Sequence, residues 1–336
     1  MANKKNTNVS LPSGVFTVAP GVWGIKDTIV NFYLIQDLES DNWIVVDTGL
    51  KWSGGKIKKV AACLFGKESK PTGIVLTHGH FDHVGSVAKL SEYWDVPVYA
   101  HHMEIPYLTG KSSYPPPDPT VGGGMMASAA FMYPNSPINI WQHLRVLPSD
   151  ESIPGLAGWK YLHTPGHTPG HVSLFRELDK VLVVGDAFVT MKQESVISIL
   201  TNKKEISGPP KYFTTDWEAS EASVRKLAYL HPATAASGHG APMRGRELKV
   251  ALEHLVNHFN EEAIPLQGRY IHEPAVADAN GTVYIPQKQA RENNDLVWKA
   301  FGVSAVIALG FVLKSLKNYK RKKRYNQNMI EIEYNF

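Results

Sequence analysis

LTHGHFDHVG, residues 76–85, places His78, His80, Asp82 and His83 within six positions, directly after the apolar run TGIVLTH. A short, wholly apolar run suits a strand buried on both faces. His78 and His80, two apart at the end of that strand, would project from its edge. Asp82 and His83 follow as the chain turns into a helix, with Gly85 permitting close approach. Imidazoles and a carboxylate without a thiolate suit zinc, iron or manganese. A solvated loop that is rich in histidine by composition alone is the plain alternative, and four such residues in one turn weigh against it.

Outward from this turn, the pattern alternates strands with helices. VFTVAPGVWGI, NFYLIQD and NWIVVDTG are β-branched or aromatic runs bounded by turn residues. A lysine-rich helix is expected around 53–65, a second in VGSVAKLSEYW, and a strand in VPVYAHH. Residues 106–140, containing YPPPDPTVGGGMMASAAFMYPNSP, break all periodicity, and a loop of that length is usually functional or disordered. Strand signals resume in HLRVLP, WKYLHT, HVSLFRE and KVLVVGDAF. Asp216 is placed to cap a helix over DWEASEASVRKLAYL, PATAASGHG reads as a strand, and a last helix runs from about 243 to 263. Two sets of strands, each closed by helices, predict an α/β fold: a four-layer α/β-β/α sandwich.

One turn cannot complete two metal sites, so further ligands are expected at other strand ends. LHTPGHTPGH carries His167 in a turn held by Pro165, Gly166 and Pro169. VLVVGDAF ends a buried strand on Asp186, and AASGHG offers His239 between glycines. In all three an apolar strand is followed by a ligand-type residue. His163 and His171 are assigned to packing rather than to metal. His101 and His102 are read as satisfied surface histidines.

The ordered set THGHFDH, TPGHT, VVGDA and SGHG, preceded by VVDTG with Asp47, resembles the metallo-β-lactamase superfamily of metallohydrolases over residues of about 14–265. That resemblance implies one divalent metal ion on His78, His80 and His167. It implies a second on Asp82, His83 and His239, with Asp186 bridging. Zinc is expected, with iron or manganese as alternatives. Asp47 would orient a ligand from behind; an Asp capping the turn after a strand explains it equally well. The implied chemistry is hydrolysis by a water shared between the metals, with Asp82 orienting the water and carrying a proton.

Two observations narrow the substrate. Met125, Met126, Phe131, Met132 and Tyr133 would make a lid over 106–140 apolar, which favours an apolar or acylated small molecule. LHTPGHTPGHVSLF resembles acyl-homoserine-lactone lactonases and glyoxalase II thioesterases, and no basic cluster for a glutathione carboxylate follows residue 243. A lactone, thioester or similar ester is therefore expected. Tyr212 in GPPKYFTTDW is a speculative donor to a substrate oxygen. The alternative is a mononuclear iron, persulfide dioxygenase-like oxidoreductase. A phosphodiesterase or a non-enzymatic binding protein is less favoured. The flavodiiron branch would need a glutamate where His80 stands.

Composition is globular, with 43% hydrophobic and 20% charged residues in 336. The formal charge of +4 becomes −3 without the seven Lys or Arg of LKSLKNYKRKKR, residues 313–324, so the body is not built to bind nucleic acid. The single cysteine excludes an intrachain disulfide. Cys63 is expected as a small buried hydrophobe on a helix. MANKKNTNVSLPSG has no apolar core and is not read as a signal peptide, so a cytoplasmic catalytic domain is expected. The expected organisation is an extension over 1–13, a hydrolase domain over 14–290, a transmembrane or interfacial helix over 297–316 and a basic tail over 317–336. The apolar stretch and its basic flank suit an anionic membrane surface.

Overall fold

The computed structural model describes residues 11–122, 125–191 and 205–288. Seven strands form the first sheet: β1 (Val15–Ala19), β2 (Val22–Asp27), β3 (Val30–Gln36), β4 (Trp43–Val46), β5 (Gly73–Val75), β6 (Val98–Ala100) and β7 (Leu144–Val146). They lie in chain order, antiparallel from β1 to β4 and parallel from β4 to β7. The second sheet contains β8 (Ser152–Ile153), β9 (Leu156–His163), β10 (Val172–Arg176), β11 (Val181–Gly185), β12 (Thr234–Ser237) and β13 (Met243–Arg244). Its order is β13-β12-β11-β10-β9-β8, with β11 and β12 parallel. A short hairpin, β14 (Val276–Asp278) with β15 (Gly281–Tyr284), stands apart.

Three hydrophobic layers account for this stacking. Between the sheets, Tyr33, Ile35, Ile44, Val46 and Val75 of the first meet Trp159, Val172, Leu174 and Val183 of the second. On the outer face of the first sheet, Ile57, Val60, Val87 and Leu90 from helices Gly54–Phe65 and Val87–Trp94 cover Phe32, Leu34 and Val45. On the outer face of the second, Val224 and Leu227 of helix Trp217–Tyr229 and Leu248, Leu252 and Leu255 of helix Gly245–Asn257 cover Phe175, Leu182 and Val184. Alternate residues of β3 point to opposite sides, as a period of two requires. Each buried aliphatic or aromatic side chain contributes about 1.5–3 kcal/mol relative to exposure. The result is the expected four-layer sandwich.

Local signals agree with the structure at most element ends. Asp216 caps its helix by accepting from the Ala219 amide at 2.9 Å. The helix expected at 243–263 begins instead at Gly245, after the short strand β13, and is followed by a separate turn, Phe259–Glu262. Cys63 corrects an expectation: it is on the first helix but exposed. Ile57, Val60 and Ala61 occupy the buried stripe, and Cys63 falls beside it. The expected 297–316 helix and the basic tail lie outside the described residues. Among the described residues, no helix is long and apolar enough to cross a membrane.

Candidate metal centre

β4, β5, β9, β11 and β12 all finish at one edge of the sandwich, and the residues that follow them converge there. The sheets are joined at this edge, where the Val172 amide donates to the Thr77 carbonyl at 2.9 Å. His78 and His80 follow β5, and Asp82 and His83 are in the first turn of the short helix Phe81–Val84. His167 comes from the loop between β9 and β10. Asp186 and His239 come from the loops after β11 and β12. All seven side chains are buried.

They form three overlapping sets: His78 with His80 and His167, His78 with His83 and Asp186, and Asp82 with His83 and His239. Within each set the nitrogen or oxygen atoms lie within 4.8 Å of one another. His80 Nδ1 is 3.0 Å from His167 Nε2. Asp186 Oδ2 lies 3.2 Å from His239 Nε2, 3.5 Å from His83 Nε2 and 3.7 Å from His167 Nε2. Asp82 Oδ2 is 3.5 Å from His239 Nε2.

Four of the imidazoles are oriented from behind, His78 through its Nδ1, 3.0 Å from the Thr77 hydroxyl. Asp47 accepts from His83 Nδ1 at 2.8 Å, and from the Thr77 amide and hydroxyl at 2.8 and 2.7 Å. It therefore holds a ring from behind and ties down the residue before His78, rather than capping the turn that follows its own strand. Its φ of 59° is a left-handed conformation that Asp tolerates. His239 Nδ1 donates to the Ile29 carbonyl at 2.7 Å, and His167 Nδ1 meets the Thr214 hydroxyl at 3.3 Å. These contacts turn the Nε2 atoms of His83, His239 and His167 toward the shared centre.

The protonation pattern answers the same geometry. Burial, with neighbouring imidazoles, holds His78 and His80 well below the ordinary histidine range, and burial takes His167 down to about 3. Those rings are neutral and keep a lone pair. Burial also works against a charged His83 and His239, yet the carboxylates of Asp186 and Asp82 outweigh it and raise both. The carboxylates call for positive charge at the centre. His78 Nε2, His83 Nε2 and Asp186 Oδ1 have no hydrogen-bond partner, although they are buried. Unpartnered buried polar atoms are costly, and a divalent cation would satisfy all three. The donor set therefore fits the metal ions that the motifs imply.

His171 and His163 do other work. The Asp186 amide donates to His171 Nε2 at 2.8 Å, so His171 carries its proton on Nδ1, toward Thr164 at 2.8 Å. Gly185, at φ 61°, has no room for a side chain: a Cβ there would sit 2.5 Å from His171 Nε2. His163 donates to the Pro169 carbonyl at 2.8 Å. His101 departs from the surface reading. It is buried, and its ring stacks on His163 with centroids 4.0 Å apart. His102 beside it is exposed.

Tyr212 is buried against Phe213, Val121, Ala127 and Ala130. The residue of this loop that meets the histidines is its neighbour Phe213, whose ring stacks on His80 with centroids 4.4 Å apart. Tyr133 of the 106–140 segment lies 5.9 Å from the Phe213 ring and 5.6 Å from Phe81. The side chains of Met125 and Met126 lie outside the described residues. Phe213, Asn31 and Tyr33 escape sequence reasoning. Asn31 Nδ2 and the Tyr33 hydroxyl hold the Ser237 carbonyl at 3.1 and 2.6 Å, fixing the loop that bears His239. A polar Asn set just before the apolar run Phe32–Ile35 was the available signal.

Five histidines and two aspartates gathered at the edge of a four-layer sandwich define a metallohydrolase-type centre. The family model described as the metallo-beta-lactamase superfamily matches residues 25–239, and the chain belongs to that superfamily. It is 44% identical over 253 residues to the probable metallo-hydrolase YflN of Bacillus subtilis (strain 168), covering 75% of this chain and 96% of that protein. A second relative, the probable metallo-hydrolase YybB of the same organism, is 30% identical over 212 residues, or 63% of this chain and 80% of that one. The fold is also similar to a metallo-beta-lactamase family protein from Thermus thermophilus, with TM-score 0.51 and 21% identity over 73% of this chain and 81% of the other. The two sequence relationships support a metal-binding hydrolase in the broad sense.

Proposed function

We propose that this chain is a dinuclear metal-dependent hydrolase that cleaves an ester-type bond, a lactone or thioester, in an apolar or acylated small molecule. The observation that carries the reading is the buried set of convergent ligand atoms, with His78 Nε2, His83 Nε2 and Asp186 Oδ1 unpartnered. His78, His80 and His167 would hold one ion, and Asp82, His83 and His239 the other, with Asp186 between them. Zinc is the first candidate, with iron or manganese as alternatives. When bound, the ions would supply an activated water and polarise the substrate's carbonyl oxygen.

The chain's own groups set the rest. Asp82, buried with its Oδ2 3.5 Å from His239 Nε2, would orient that water and carry a proton. Phe81, Tyr133 and Phe213 form an aromatic wall beside His80. A cavity of about 660 Å³ lies beside the metal-binding turn, touching Gly79 and Phe81 but none of the seven convergent residues, and Leu50, Val84, Val87 and Ile138 line it. That volume is in the usual range for small-molecule sites, and its walls favour an apolar chain over a polyanion. Tyr212 remains a proposed donor to a substrate oxygen through its hydroxyl.

Metal content per chain, measured on protein purified without added metal or chelator, tests the first half. Two zinc, manganese or iron ions, together with hydrolysis of lactones or thioesters that rises with acyl length, are expected. One iron per chain with no hydrolysis and oxygen-dependent persulfide oxidation would replace this reading with the oxygenase.

A further inference from the structure

Glu104 is wholly buried, well away from the seven convergent side chains in sequence, and its carboxylate collects four hydrogen bonds. Oε2 accepts from the Gly79 amide at 2.9 Å and from the Tyr114 hydroxyl. Oε1 accepts from the Thr168 hydroxyl at 2.8 Å and the Gly170 amide at 2.9 Å. One oxygen thus holds the turn between His78 and His80, and the other holds the loop that bears His167. A carboxylate can accept on both oxygens at once, which no neutral side chain of this length can do.

The packing leaves no slack in this arrangement. A Cβ at Gly79 would lie 2.5 Å from the Tyr114 hydroxyl oxygen, and one at Gly170 would lie 2.7 Å from Glu104 Cγ. Both loops therefore close onto the same carboxylate through glycine. Tyr114 is itself fixed, stacked on Tyr107 with centroids 3.9 Å apart, and its ring lies 4.8 Å from that of His80. Across the two tethered loops, His80 Nδ1 and His167 Nε2 approach to 3.0 Å.

We propose that Glu104, with Tyr114, is a positioning residue that ties the His78–His80 turn to the His167 loop and so sets the spacing of the three-histidine metal site. Its purpose rests on the metal reading above, whereas the tether itself does not. Glu104→Gln keeps the shape but turns an amide N–H toward one pair of donors, releasing one loop. Glu104→Asp keeps the charge but is a methylene too short to span both.

Two measurements on the full chain decide it. Hydrogen exchange on metal-free protein should accelerate in at least one of the segments 77–83 and 164–171 in each variant. Cobalt binding, followed by chelator competition and visible absorption, should show one of two ions held about tenfold or more weakly, as loss of a ligand-orienting contact commonly causes. Tyr114→Phe, which removes a single donor, should fall between wild type and Glu104→Gln. If both Glu104 variants melt at lower temperature yet bind both ions with wild-type affinity and unchanged spectra, Glu104 supports only the fold and the proposal is overturned. If Glu104→Gln does not fold, Glu104→Asp and Tyr114→Phe carry the same comparison. A wild-type chain that binds no cobalt would refute the metal reading, and the exchange rates would still decide the tether.

Discussion

His83 Nδ1 and Asp47 Oδ2 lie 2.8 Å apart, joining two loops that are 36 residues distant in sequence. Because Asp47 also takes both Thr77 donors, its lone pairs fix His83 with its proton on Nδ1 and Nε2 facing Asp186.

Asp47→Asn should reverse that tautomer. If the amide oxygen stays with the Thr77 N–H, its NH2 takes the place of Oδ2, faces His83 Nδ1 and forces the ring proton onto Nε2, where an ion would bind. Metal affinity or turnover should fall about 10- to 100-fold, with little change in the far-ultraviolet spectrum. Chelator competition against wild type measures it, and unchanged affinity would remove Asp47 from the site.

Gly238→Ala is expected to be more severe than its size suggests. The added Cβ would sit 2.1 Å from Asp186 Oδ1 and 2.9 Å from His83 Cε1. Metal stoichiometry should drop below one ion per chain while the fold persists. Two bound ions in this variant would mean that the 238–239 loop shifts freely.

Metal loading should stabilise the protein strongly, since it satisfies His78 Nε2, His83 Nε2 and Asp186 Oδ1 together. Zinc at about 100 times its dissociation constant adds about 2.7 kcal/mol, which raises the melting temperature by roughly 4 °C in a chain of this size. Calorimetry before and after chelation reads the shift directly.

His101 supplies a pH dependence distinct from the metal site. Burial, with His163 and His102 adjacent, lowers its pKa to about 3. A base whose folded pKa is depressed makes the unfolded state bind more protons, so stability falls as pH drops below about 6.5 toward 3. At pH 5 the loss would be about 2 kcal/mol relative to pH 8. His101→Gln should flatten that part of the profile. Urea midpoints of metal-free wild type and variant at both pH values test it, and parallel profiles would rule His101 out.

Much of this architecture was legible because local chemistry and global fold agree. β5, β11 and β12 are short buried runs, and each is followed within three residues by one that can bind metal: His78, Asp186 and His239. Asp216 was legible as a cap because its role is settled within three residues. Cys63 and His101 were misjudged for the same reason as each other: exposure depends on which neighbours a helix face or strand end meets. Glu104 left no sequence signal, because a single acid among Met103, Ile105 and Pro106 shows nothing of the two distant loops it joins.

The sequence by itself determined the strand periodicity, the four motifs and the identities of seven metal-seeking side chains, since these depend on spacing along the chain. Tertiary structure decided which atoms face one another. It selected Nδ1 of His80 but Nε2 of His78, His83, His167 and His239, and it recruited Asn31, Tyr33, Glu104 and Phe213 to hold the loops. Those choices rest on contacts between strand ends brought together only when the two sheets pack, where buried polar groups must find partners and few are available.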